Sequence, residues 1–152
     1  MMTRAEKAIE LFEKGANCAQ AVCGAFADLM GLDEKAAFRL SAPFGGGLGR
    51  QREICGAVSG MCMVAGMLYG YDDFGNDQVK GEHYRLIQEL CDAFRARYGS
   101  IICRELLQTA KLSSAPVPTP RTAEYYRTRP CARQVGTAAE IIERYIQDHP
   151  II

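Results

Sequence analysis

Apolar residues recur three and four positions apart along most of this chain, the spacing that lines one face of a helix. Ala8, Ile9, Leu11 and Phe12 face a first predicted helix, opened by a Thr3–Glu6 capping box and stopped at Gly15. Asn17, with Gln20 three residues on, predicts a second start that puts Cys18 in its first turn and runs through Val22, Phe26, Leu29 and Met30 to Gly31. Asp33 is expected to cap a short helix carrying Phe38 and Leu40. Tyr84, Ile87, Cys91, Phe94 and Tyr98, with Leu90 beside them, predict a long amphipathic helix from Asp77 to Tyr98. Ser100 is expected to cap a short helix with Cys103 at its third position. Pro130 suits the first position of a helical turn and puts Cys131 at the second, before a break at Gly136. Thr137 with Glu140 then opens a closing helix faced by Ile141, Ile142, Tyr145 and Ile146, which ends before Pro150. No alternating pattern is long enough to build a sheet, so the expected class is all-α.

Two stretches interrupt this rhythm. Ser41 to Arg50 carries Gly45, Gly46, Gly47 and Gly49, and reads as a loop of unusual backbone freedom leading into Cys55. Ile54 to Tyr71 has no charged residue, which raises the question of a membrane span. Gly56, Gly60, Gly66 and Gly70 dilute it, and the preferred reading is a buried central helix with a side-chain-free groove for a neighbour. The expected architecture is one compact multi-helix domain over residues 1–152 around that Gly-rich apolar helix. A Pro-rich connector at about 108–129 is expected to wrap the surface or arch over a site and return Cys131 to the other cysteines.

Lys plus Arg balances Asp plus Glu at 18 each, and no basic run interleaves with aromatics, so nucleic acid is not an expected partner. The charged start, Arg4 to Lys7, leads into an amphipathic helix instead of a signal-peptide core, and the expected location is cytoplasmic. Thiols there stay reduced, so seven cysteines argue for metal binding or catalysis before structural disulfides.

Cys18, Cys55, Cys103 and Cys131 fall at predicted helix starts, where unpaired N–H groups favour a thiolate. Cys23, Cys62 and Cys91 fall inside apolar stripes, where a thiol behaves as a small hydrophobe. No Cys-x-x-Cys is present, which removes a thioredoxin-type pair, a zinc ribbon and a covalent haem site. Any shared site has to be assembled from separate helices.

The Asn17-Cys18-Ala19-Gln20-Ala21-Val22 segment, Phe44-Gly45-Gly46-Gly47, the Cys55-Gly56-Ala57-Val58-Ser59-Gly60 block and the single cysteines at 103 and 131 resemble the redox-active family C_GCAxxG_C_C over nearly the whole chain. The resemblance implies a compact helical domain with redox or metal-binding cysteines, and it singles out the same four as the helix-start argument. That family is similar in turn to part of the split-Soret cytochromes, in which a comparable cysteine set accompanies an iron–sulfur cluster beside haems. This chain has no haem-attachment sequence and only two histidines, His83 and His149, so haem binding does not carry over.

The leading expectation is therefore a [2Fe–2S] iron–sulfur cluster on Cys18, Cys55, Cys103 and Cys131, serving electron transfer or redox sensing with an unidentified redox partner protein. Gly45, Gly46, Gly47 and Gly56 would offer it backbone N–H groups. Zinc would fill the same ligands. A second reading is a metal-free thiol–disulfide protein with those four cysteines as the catalytic set, a thiolate being held by Arg50, Arg52 or Arg104, although such arginines are more often solvated. A third is a non-catalytic helical partner docking on a transporter or another subunit. The glycine groove is compatible with a homodimer. The glycine loop lacks the Lys-Ser/Thr of a phosphate cradle, Tyr71 to Asp77 lacks the spacing of a calcium loop, His83 reads as a surface histidine, and no Ser/His/Asp set stands out.

Overall fold

Caps written in the sequence start α-helices at Thr3, Asn17, Asp33, Asn76 and Thr122. The computed structural model describes residues 1–107 and 114–151, without the side chains of residues 127 and 128. In α1 (Arg4–Glu13), Thr3 Oγ1 accepts the Glu6 N–H and Glu6 Oε2 accepts the Thr3 N–H, each at 3.1 Å. Asn17 and Gln20 exchange the same pair of bonds, at 2.9 and 3.0 Å, at the head of α2 (Cys18–Ala25). Each reciprocal box satisfies two N–H groups that a helix start otherwise leaves bare. Asp33 caps α4 (Glu34–Ser41) through the Ala36 N–H at 2.7 Å, and Asn76 caps α7 (Asp77–Tyr98) through Val79 at 3.1 Å.

The uncharged stretch becomes α6 (Gly56–Tyr69), and no described helix is long and apolar enough to cross a membrane. It packs against α2, α7 and α10 (Cys131–Asp148), while α1 lies across α2 and α10. Phe12, Phe26, Val58, Met61, Val64, Phe94, Val135 and Ile142 are buried where these helices meet. Each such side chain contributes roughly 1.5–3 kcal/mol over remaining exposed. The glycine groove explains how close α2 comes. A Cβ on Gly60 would stand 2.9 Å from the Ala19 carbonyl oxygen and 3.0 Å from Val22 Cβ, and one on Gly56 would stand 3.1 Å from Cys18 Cβ. The fold is all-α; among the described residues there is no strand, and one antiparallel bridge joins Ile54 to Ile102.

The structure corrects several boundaries. The second helix breaks at Phe26 (φ −119°, ψ 10°) and resumes as α3 (Ala27–Met30), because Phe26 is drawn fully into the core beneath the Arg4 guanidinium. Ser100 does not cap α8 (Cys103–Leu106): Ile102 does, which makes Cys103 the first helical residue, while Ser100 Oγ accepts the Ile102 N–H and donates to Glu105. Gly136 does not break the last helix. It lies inside α10, where a Cβ would fall 2.7 Å from Ile9 Cδ1, so a glycine that looked like a stop is a point of close approach to α1. Thr137 is accordingly not a cap, its hydroxyl being 2.7 Å from the Tyr98 hydroxyl. Tyr84 leaves the expected stripe of α7, stands exposed and bonds the Tyr71 hydroxyl at 3.0 Å. Of the connector, residues 108–113 lie outside the described residues; the remainder contains a short helix, α9 (Ala123–Thr128), that its prolines had not suggested.

A four-thiol cavity at helix starts

Each of the four cysteines sits where a helix begins. Cys18, Cys103 and Cys131 are the first residues of α2, α8 and α10, and Cys55 is the cap residue of α6. The Ile54–Ile102 bridge fixes two of them beside each other, since the Cys55 N–H donates to the Ile101 carbonyl at 2.7 Å and the Cys103 N–H to the Glu53 carbonyl at 2.6 Å. Gly56 lets Cys18 come up against the start of α6. Pro130 turns the chain into α10 and presents Cys131, whose strongest electrostatic neighbour is the Cys18 thiol. All four line one cavity of about 370 Å³. Cys55, Cys103 and Cys131 are buried and Cys18 is half-buried.

The glycine loop forms one wall through Gly45, Gly46 and Gly47, beside Gly56 at the start of α6. After a 3₁₀ turn, Ala42–Phe44, the segment α5 (Gly45–Leu48) winds left-handed: φ is 65° at Gly46, 73° at Gly47 and 69° at Leu48. The left-handed backbone continues at Arg50 (φ 69°) and Arg52 (φ 63°). A non-glycine residue in this region costs ~1–2 kcal/mol, and such strain concentrates at functional sites. Here the loop is closed by Gly49 N–H to Pro43 O at 2.7 Å and Glu53 N–H to Gly47 O at 2.9 Å. Its product is a buried Arg52, 6% exposed, whose Nη1 donates to Cys103 Sγ at 3.8 Å.

The cavity is electropositive. Arg121 and Arg129 line it with Arg52. Arg121 donates to the Phe12 and Ala16 carbonyls at 2.5 and 2.8 Å, pinning the connector to the end of α1, and its guanidinium lies 4.2 Å from the centre of the Phe12 ring. Arg129 stacks 4.8 Å from the centre of Tyr125. The Cys18 thiol beside it, followed by the charges of Arg129, Arg121 and Arg52, holds Cys131 below the ordinary thiol range, while the Cys131 thiol and burial push Cys18 well above it. Burial pushes Cys55 up to about 12, against the pull of the Val58 and Ala57 N–H groups. Burial also raises Cys103, against the pull of Arg52. Among the described residues no group of three or more His, Cys, Asp and Glu side chains is disposed to hold a single metal ion.

A family model described as "Putative redox-active protein (C_GCAxxG_C_C)" matches residues 16–145. The chain belongs to this family. No curated protein and no solved structure matches it.

In this C_GCAxxG_C_C protein the expected convergence is met: all four helix-start cysteines, and Gly45, Gly46, Gly47 and Gly56, reach one cavity. Cys23, Cys62 and Cys91 do not line it. Cys23 is 1% exposed, with Gly60 O at 3.7 Å and Met63 Sδ at 3.9 Å, as its place in an apolar stripe suggests. Of the three arginines proposed to hold a thiolate, Arg52 reaches one. Arg104 instead bonds the Arg52 carbonyl and Glu53, each at 3.1 Å, and Arg50 bonds Thr119 at 3.0 Å. Arg121, Tyr125 and Arg129 were not anticipated. They belong to no motif, and the one hint is that they lie in the connector expected to arch over a site.

Proposed function

We propose that the four-thiol cavity is a redox centre in which Cys18, Cys55, Cys103 and Cys131 hold a [2Fe–2S] cluster and the protein exchanges electrons with a partner protein. Bound there, the cluster supplies one-electron chemistry with four thiolate ligands. The observation that carries this reading is the convergence of four thiols from four separate helix starts on one cavity lined by arginines. The cysteines come as two neighbouring pairs, Cys18 with Cys131 through their thiols and Cys55 with Cys103 through their backbone segments, and two thiolates per iron is what this cluster takes, whereas one zinc ion takes all four. The cavity volume lies at the lower end of the ~300–1,000 Å³ range of small-ligand sites. Arg52, Arg121 and Arg129 complement the negative charge of a tetrathiolate centre and raise its reduction potential. The prolines at 116 and 118 shield one side from water.

Anaerobic purification followed by visible absorption and iron, sulfide and zinc analysis tests this. Cluster absorption with matching iron and sulfide, lost on serine replacement at 18, 55, 103 or 131 and kept on replacement at 23, is the expected result. Protein carrying zinc, or no metal, defeats it.

The nearness of the Cys18 and Cys131 thiols favours a second reading, a metal-free dithiol in which Cys131 attacks and Cys18 resolves. It predicts reversible loss of two thiols, mapped to these two cysteines, and no iron.

A further inference from the structure

Two cysteines outside the cavity meet each other. Cys62 lies halfway along α6 and Cys91 in the second half of α7, and the two helices pack together. Across this contact each thiol is the strongest electrostatic neighbour of the other. Cys91 is 8% exposed, and Cys62 is half-buried. The charge around the pair is asymmetric. Arg95 follows Cys91 by one turn of α7 and favours a thiolate there; Asp92, bonded to Arg95 at 2.8 Å, partly offsets it. Packing alone asks for apolar volume at both positions, not for two sulfurs in contact on separate helices.

We propose that Cys62 and Cys91 form a reversible dithiol–disulfide couple, a second redox site independent of the four-thiol cavity, with small peroxides as oxidant. The Cys91 thiolate attacks one peroxide oxygen; the O–O bond breaks, the departing hydroxide takes up a proton to become water, and Cys91 is left as a sulfenic acid. The Cys62 sulfur then attacks Cys91 Sγ, the S–O bond breaks, and the hydroxyl leaves as water with the proton of Cys62. Two thiols are oxidised by two electrons, and hydrogen peroxide is reduced to two waters. The size of peroxide suits a thiol as enclosed as Cys91. Reversal needs an external thiol reductant, which takes the disulfide back to two thiols by exchange. The couple stands on α6 two turns beyond Cys55, ~10 Å along the axis. It adds a two-electron site to a chain whose cavity we read as a one-electron site, but does not depend on that reading.

The test is peptide mapping of the purified full chain after stoichiometric hydrogen peroxide, with an iron chelator present and free thiols alkylated at the end. Fragment spectra must separate Cys55 from Cys62, since trypsin leaves both on one peptide. A Cys62–Cys91 cross-link that dithiothreitol removes is expected. In Cys62→Ser, Cys91 is expected to accumulate as a dimedone-reactive sulfenic acid; in Cys91→Ser, oxidation of Cys62 is expected to fall at least tenfold. Cys62 and Cys91 both recovered as free thiols in the wild-type chain, or Cys91 overoxidised without a cross-link, would overturn the proposal. These outcomes are read on the two cysteines themselves, so they are distinct from loss or retention of the cavity's iron.

Discussion

The Arg52 guanidinium donates to the Cys103 sulfur from a left-handed backbone position that arginine rarely occupies. The conformation aims a buried cation into the four-thiol cavity, and the neighbouring Gly46 and Gly47 carbonyls hold it by accepting the N–H groups of Arg52 and Glu53 at 3.1 and 2.9 Å. Strain and charge burial at one residue both oppose folding, and the contact they produce is with a thiol.

Arg52→Gly therefore separates two effects. Glycine occupies φ 63° without penalty, so the backbone relaxes while the charge is lost. In reduced, metal-free protein, Cys103 keeps the burial that raises it and loses the cation that pulls it down, so its alkylation shifts to higher pH. The pH profile of iodoacetamide labelling at Cys103, read by mass spectrometry, checks this. Cys23, remote from Arg52 and held at about 11 mainly by burial, is expected to keep its profile.

Gly60→Ala and Gly66→Ala share a helix and are expected to move stability in opposite directions. A methyl at 60 meets the Ala19 carbonyl at 2.9 Å, and the resulting overpacking costs ~1–3 kcal/mol. A methyl at 66 meets nothing within 4 Å, so the helical preference of alanine is expected to gain up to about 1 kcal/mol. Urea unfolding of the two variants checks the sign of each.

The contrast between Gly60 and Gly136 shows where the sequence is readable. Reciprocal caps such as Asn17–Gln20 act within four residues, so the start of α2, and with it the placement of Cys18, follows from local spacing. A glycine has the same local signature whether it ends a helix or admits a neighbour. Gly136 looked like a break because its reason, the Ile9 side chain of α1, is remote in sequence. The same holds for the cavity's chemistry. Four thiols at helix starts were legible, whereas Arg121 and Arg129 act there only because the connector folds back, and left-handed backbone at Leu48 and Arg52 has no glycine to announce it. The meeting of Cys62 with Cys91 depends on how α6 and α7 pack, which the stripe of either helix leaves open.

Arg4 gives a pH dependence of known sign. Its hydrogen bond, followed by its charge, holds the Asp28 carboxyl below the ordinary value of 3.8. A carboxylate whose folded value is depressed adds stability above its unfolded value and loses it as pH falls through the folded one. The Asp28 side chain is 63% exposed, so solvent screening limits the contribution to ~0–1 kcal/mol. Asp28→Asn is expected to be less stable than wild type by that margin at neutral pH. The gap narrows below about pH 4. Parallel thermal melts between neutral pH and pH 3 check it.

Arg121 ties the connector to α1, and its removal tests whether that tie keeps the cavity closed. The guanidinium satisfies the Phe12 carbonyl in the last turn of α1 and the Ala16 carbonyl just beyond it, and stands over the Phe12 ring. Hydrogen bonds to a charged group contribute about 1.5–3 kcal/mol each. Arg121→Ala is expected to loosen the segment carrying Pro116, Pro118 and Thr119, which line the cavity beside the cysteines. Proteolysis between residues 114 and 122 should accelerate while the helical circular dichroism stays near wild type. Labelling of Cys18 and Cys131 responds to two opposing changes: the opened wall admits reagent, and the lost cation raises Cys131. A bulky neutral maleimide separates them, because its access depends mainly on the wall; at a pH where both thiols react it is expected to label Cys131 faster in the variant. Unchanged proteolysis together with unchanged maleimide labelling would show that the connector is held without Arg121.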